Sequence, residues 1–196
     1  MPKISDGSNI SDVLVIIDIQ NDYFPGGRME LAGAEAAGQV AAGMLARYRA
    51  ASLPVVHVRH ENLRPGSTFF LPGTKGAEIH PSNAPLPGEP VVLKHFPNAF
   101  RDTNLLDILR KMSATRLTVG GRLTMCGMMT HMCVDTTVRA AFDLGFTVRL
   151  AADACATREL SFADRSVAAV DVQTAYLAAL GAVFAQVALA AELALP

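Results

Sequence analysis

The chain has 196 residues, enough for one domain with a single large core and short for two. About half of it is apolar (51%), and 17 lysines and arginines nearly balance 18 aspartates and glutamates. That balance leaves no basic face for nucleic acid and no acidic tail, so a small neutral or polar ligand fits the composition better than a polyanion.

The opening MPKISDGSNISD lacks the basic-then-apolar pattern of a signal peptide, and Cys126, Cys133 and Cys155 are odd in number with no CxxC spacing. A cytoplasmic protein is expected. The first apolar, β-branched run is Val13–Ile19 (VLVIIDI), followed by Pro54–Val58, Pro90–Phe96, Leu123–Gly127, Phe146–Ala151 and Ala182–Val187. Near-continuous hydrophobicity in these runs implies strands buried on both faces. Between them, Val40, Met44 and Tyr48 fall on one helix face, as do Val134, Val138 and Ala141, and later Val167, Val170, Thr174 and Leu177. The alternation predicts one α/β domain over residues 1–196. It would be a three-layer αβα arrangement with a mainly parallel, Rossmann-like open sheet of about six strands, whose ligands bind at the carboxyl ends of the strands.

Two segments break the alternation. Asn62–Glu89, rich in proline and glycine, is too long for an ordinary connection and reads as a functional excursion or lid. In RLTVGGRLTM, Arg116–Met125, two glycines separate two β-like runs, which reads as a small hairpin with a role in specificity or subunit contacts. Ala175–Pro196 is apolar, but Gly181, Gln186 and Glu192 interrupt it and most of its apolar content is alanine, so no membrane span is expected.

Asp18 and Lys94 stand at carboxyl ends of predicted strands, and Cys133 stands beyond another, where a helix begins. Singly, each has an ordinary reading: a buried small thiol, a carboxylate bonded to local backbone, a lysine reaching solvent. Together, in a parallel sheet, they converge on one crevice. There they would supply a nucleophile, a carboxylate to take its proton and return it to a leaving group, and a cation that favours the charged state. Unpaired N–H groups in the turn Met128–Cys133 could form an oxyanion hole. Cys126, within a strand, and Cys155, in what reads as a tight DACAT turn, are assigned to packing.

The motifs DIQNDYFPGG (Asp18–Gly27), FFLPGTKGAEIHP (Phe69–Pro81), VVLKHFPNAF (Val91–Phe100), CGMMTHMCVDTTVRAA (Cys126–Ala141) and DACATRE (Asp153–Glu159) occur in order along nearly the whole chain. In them the sequence resembles the isochorismatase-like cysteine hydrolases, which include nicotinamidases, N-carbamoylsarcosine amidases and ureidoacrylate amidohydrolases. The resemblance implies an Asp18-Lys94-Cys133 triad, a non-proline cis peptide at Met128-Met129, and an oxyanion hole from the N–H groups of Met129 and Cys133. Nicotinamidases carry a metal held by an aspartate and two histidines after the second strand. Here His60, Asn62 and Thr68 fall at those places, and His57, His60 and His80 have no recognised ligand spacing, so no metal and no cofactor are expected.

For the pocket, Tyr23, Phe69, Phe70 and Phe96 are candidate apolar walls, and Arg59, His60 and Arg101 could orient a polar or anionic substrate. Thr130 and Asn98 lie near the site, as do Asn21 and Asp22, as contacts or as holders of its turns. Isochorismatases proper cleave a vinyl ether without needing a thiol, so a retained cysteine with its lysine points to C–N bond hydrolysis of a small amide or ureido compound through a thioester. The alternatives are a vinyl-ether hydrolase of isochorismatase type and a catalytically silent or redox thiol protein of the same fold. A homo-oligomer, dimer or tetramer, is expected.

Overall fold

Side chains of a strand point alternately to its two faces, and in strand β1 (Asp12–Ile17) both faces meet a core. Leu14 and Ile16 enter one apolar cluster, and Val13, Val15 and Ile17 enter the other. A computed structural model, which describes residues 12–112 and 121–195, builds a six-stranded sheet around this strand. The order is β3-β2-β1-β4-β5-β8, with every pair parallel, from β2 (Val55–His60), β3 (Val91–Lys94), β4 (Arg122–Met128), β5 (Thr147–Ala156) and β8 (Gln186–Ala188). Helix α1 (Ala34–Ala50) covers one face, while α2 (Leu105–Met112), α3 (Asp135–Asp143) and α4 (Ala169–Val183) cover the other. The three-layer parallel architecture is thus as expected from the alternating pattern.

The element ends differ from the sequence pattern in instructive ways. The first strand stops at Ile17, not Ile19, because Asp18 takes a left-handed conformation (φ 52°), one that aspartate tolerates better than most residues. β3 is an edge strand with Val91 and Leu93 facing outward, so burial on both faces fails there. β5 continues through Ala156, so Cys155 lies in a strand rather than a tight turn. Ala182 and Val183 close α4 instead of opening the last strand, and Val167 belongs to β7 (Arg165–Val167). β7 pairs with β6 (Leu160–Phe162) in an antiparallel hairpin that the pattern did not announce, and α2 was likewise unforeseen. The first half of the hairpin expected at Arg116–Met125 lies outside the described residues; its second half opens β4.

At Gly127 the backbone has φ 139°, and a Cβ would overlap the carbonyl oxygen of Ile17 on the neighbouring strand. The β4–β5 register shifts between Met125 and Gly127. Only glycine allows this irregular, close approach, which sets the chain running toward Met128 beside the end of β1. Among the described residues no helix is long and apolar enough to cross a membrane.

Candidate active site

Because β3, β2, β1 and β4 are neighbours in that order, their carboxyl ends bring Lys94, His60, Asp18 and the turn after Met128 side by side. The Met128-Met129 peptide is cis, and residues Thr130–Val134 form one π-helical turn, closed by Val134 N–H donating to Met129 O, before α3 begins. Cys133 sits on this turn, a form of helix irregularity frequent at functional sites.

Lys94 Nζ lies 2.6 Å from Asp18 Oδ2, 3.1 Å from Cys133 Sγ and 2.9 Å from His60 Nδ1. Asp18 and Lys94 have no exposed surface and Cys133 is 7% exposed. Asp18 Oδ2 takes a Lys94 N–H in a short ion pair, while Asp18 Oδ1 has no hydrogen-bond partner among the described residues, leaving a lone pair free to take a proton. Burial raises the Asp18 pKa, with Lys94 opposing. Burial also works against the Lys94 charge, but Asp18 and Cys133 outweigh it and raise its pKa. The thiol of Cys133 is pushed up to about 12, by burial first and then by Asp18, with Lys94 pulling the other way. The resting state is therefore a thiol beside a carboxylate–ammonium pair.

Above these groups opens a cavity of about 360 Å³. Tyr23, Phe69 and Phe70 form an aromatic wall, with Tyr23–Phe70 centroids 4.6 Å and Phe69–Phe70 centroids 5.0 Å apart. His60 lines the cavity with them. The wall is fixed by Asp22, which accepts the Phe70 N–H at 2.6 Å and the Arg28 N–H at 3.2 Å. The Asn62–Glu89 excursion is further pinned by Gln20 Nε2 donating to Ala77 O at 2.8 Å and by Asn21 Nδ2 donating to Lys75 O at 2.7 Å. Phe96 and Thr130 do not line the cavity. Phe96 instead carries the Arg101 guanidinium 3.7 Å from its ring centre, and Thr130 Oγ1 donates to Ala156 O, holding the turn. Arg59 pairs with Glu61 at 3.1 Å, so neither Arg59 nor Arg101 faces the cavity. Asn98 Oδ1 accepts the Phe100 N–H within its own turn.

Residues that the sequence reading missed are Arg64 and Arg158 at the rim, with His131 and Met132 near the thiol and Met29 and Leu160 among the apolar contacts; Met129, expected from the resemblance, lines the cavity too. Arg158 stood in the DACATRE motif, just past the carboxyl end of β5, where the strand-end rule applies. A larger cleft of about 550 Å³, lined by Phe24, Arg28, Lys75 and His80 among others, contains none of the buried reactive groups.

The residues do not fit the nicotinamidase metal arrangement. Thr68 is exposed, Asn62 Oδ1 accepts the Arg64 N–H, His57 Nε2 is bonded to Glu89 at 2.9 Å, and His80 stacks on Phe24. Among the described residues, the one trio of metal-type donors is Asp18, His60 and Cys133, and each of the three already contacts the Lys94 ammonium. A metal there would have to displace a buried cation.

An open parallel sheet with a thiol, a lysine and an aspartate converging at its strand ends defines an α/β protein with a buried thiol site. The model of the isochorismatase domain matches residues 12–186, and the chain belongs to the isochorismatase family of hydrolases. It is 44% identical over 178 residues to YddQ, an uncharacterized isochorismatase family protein of Bacillus subtilis (strain 168), covering 91% of this chain and 96% of YddQ. An isochorismatase-family hydrolase of known structure from Oleispira antarctica shares 45% identity with a TM-score of 0.86, over 94% of this chain and 96% of that one. A streptothricin hydrolase of Streptomyces noursei is 35% identical over 153 residues, 75% of this chain and 50% of its own length.

Proposed function

We propose that the protein hydrolyses a C–N bond of a small amide or ureido compound through a thioester on Cys133, without a metal. The observation that carries this reading is the contact of one buried ammonium with both a buried thiol and a buried carboxylate, beneath a cavity that the thiol itself lines. With the thiol near 12, proton transfer accompanies attack rather than preceding it. Asp18 takes the proton as Sγ bonds to the carbonyl carbon, and the N–H groups of Met129 and Cys133 receive the oxyanion. Collapse breaks the C–N bond, and the proton on Asp18 leaves with the nitrogen. Asp18 then removes a proton from water, which cleaves the thioester and frees the acid and the thiol.

The cavity favours a substrate with an apolar body against Tyr23, Phe69 and Phe70 and an anionic end at the rim, since Arg64 and Arg158 line it and, among the described residues, no acidic side chain does. A relative that is itself named a hydrolase of streptothricin is consistent with C–N chemistry on this scaffold. We also propose a homo-oligomer, a dimer or tetramer.

The test is a screen of small amides, ureides and carbamoyl compounds in matched pairs, with and without a terminal carboxylate, read by ammonia or amine release. Acyl adducts on Cys133 by mass spectrometry, with turnover undiminished after dialysis against a strong chelator, are the expected results. Turnover of a vinyl ether that survives loss of the thiol would overturn the assignment.

A further inference from the structure

A fully buried ammonium has three N–H bonds, and leaving any of them without an acceptor costs free energy. Lys94 has no exposed surface; two of its contacts are Asp18 and Cys133, and the third is His60 Nδ1 at 2.9 Å. An ammonium can only donate. The nitrogen of His60 that faces it must therefore carry a lone pair, and a neutral imidazole then holds its proton on Nε2. Burial, followed by Lys94, His95 and Arg64, holds the His60 pKa down to about 3, so the ring stays neutral across the ordinary working range.

The backbone that carries the ring is also held in place. Gln20, with no exposed surface, grips the His60 backbone from both sides, donating from Nε2 to His60 O at 2.9 Å and accepting the His60 N–H on Oε1 at 2.7 Å. Gln20 lies two residues from Asp18, so one short segment fixes both the carboxylate and the histidine that flank the lysine. The acceptor atoms of Asp18, His60 and Cys133 all lie within 4.8 Å of one another, as a coordination shell around the ammonium requires. His60 lines the cavity as well, and among the described residues its Nε2 has no hydrogen-bond partner.

We propose that His60 is a positioning residue for Lys94: its Nδ1 accepts the third N–H and so aims the ammonium at Asp18 and Cys133, while its Nε2–H stands as a donor to the substrate in the cavity. The proposal rests on the role assigned to Lys94 above, but two of its readouts need no substrate and so stand or fall independently of the hydrolase reading.

On the wild-type protein labelled with ¹⁵N-histidine, NMR should show His60 in the Nε2–H tautomer, with no titration down to about pH 4. A His60 that titrates in the ordinary histidine range, or carries its proton on Nδ1, overturns the proposal. The alkylation rate of Cys133 against pH should shift to higher pH in His60→Ala, as Lys94 loses its fixed direction, and return toward wild type in His60→Gln, whose side chain both accepts and donates. In a Lys94→Met background the same His60→Ala change should alter the profile by less than about twofold, because the two act through one contact. With substrate, His60→Ala should lower kcat by roughly tenfold or more, with partial rescue by His60→Gln. A rise in KM alone, with an unchanged alkylation profile, would make His60 only a wall of the cavity. If His60→Ala does not fold, the tautomer measurement and the His60→Gln profile still decide.

Discussion

Cys133, Asp18 and Lys94 amount to two acids and one cation in a dry site, and a single ammonium can offset only one negative charge there. Asp18 and Cys133 therefore compete for ionisation, and the thiol is pushed up to about 12 by burial first and by Asp18 second, although Lys94 pulls it down. The sequence suggested a thiolate favoured by its lysine; the structure shows burial and the carboxylate outweighing that lysine. The competition has opposite consequences for the two partners. Asp18→Asn removes the anion that raises the thiol, so iodoacetamide should react with Cys133 at lower pH, even as turnover is lost with the base. Lys94→Met removes the group that lowers the thiol, so alkylation should move to higher pH. Profiles that shift in the same direction in both variants would contradict this account. Cys133→Ala should abolish turnover, a loss of roughly a hundredfold or more, with the fold intact. By contrast Cys126→Ala and Cys155→Ala should keep most of the activity, since both thiols are buried in strands away from the cavity.

The elements divide into those that carry the site and those that hold the sheet. The Phe69–Phe70 wall hangs on Asp22, so Asp22→Ala should raise KM several-fold with a smaller change in kcat, the sign of lost binding that is common to ground and transition states. At the opposite, amino end of the strands, Arg149 of β5 pairs with Asp12 of β1, and both contact Thr124 of β4 between them. Arg149→Met strands a buried carboxylate and should cost about 3–5 kcal/mol of unfolding free energy in urea, without altering the chemistry of the residual folded enzyme. The sequence made the strands of this sheet visible because buried parallel strands are continuously apolar, and the same property hid their ends. Nothing in VLVIIDI marks the left-handed turn at Asp18, and the alanine-rich run at Ala182–Val187 suits a helix end as well as a strand start. The β6–β7 hairpin is exposed along most of its length and so has no periodicity to read. Asp18 and Lys94 were legible because parallel topology dictates where strand ends meet. Arg64 was not, because a charge in an irregular segment looks like any solvated charge until the fold is known; Arg158 was legible only through its place just past the end of β5.

At the scale of the whole molecule, α4 is more apolar than one packed face requires. Only Val172 and Leu180 of this helix are fully buried, while Val170 is 69% and Val183 63% exposed, and the preceding hairpin leaves Phe162 87% exposed. Phe142 and Leu144, at the end of α3, add to the exposed apolar surface, with Phe142 against Phe184 beyond α4 at 5.3 Å between ring centres. An exposed apolar helix face is a surface of the kind that partners cover, and a two-fold copy of the same surface is the simplest cover to test. Light scattering with size exclusion should therefore report a dimer or tetramer. Charge placed at two of these points, Phe162→Asp with Val170→Asp, should yield a monomer of unchanged far-ultraviolet circular dichroism. The hairpin begins at Leu160, which lines the cavity. Freeing it from its partner should loosen that wall, and KM in the monomeric variant should rise by several-fold with the thiol's alkylation profile unchanged. A wild-type protein that is monomeric at every concentration would show that this surface serves some other contact.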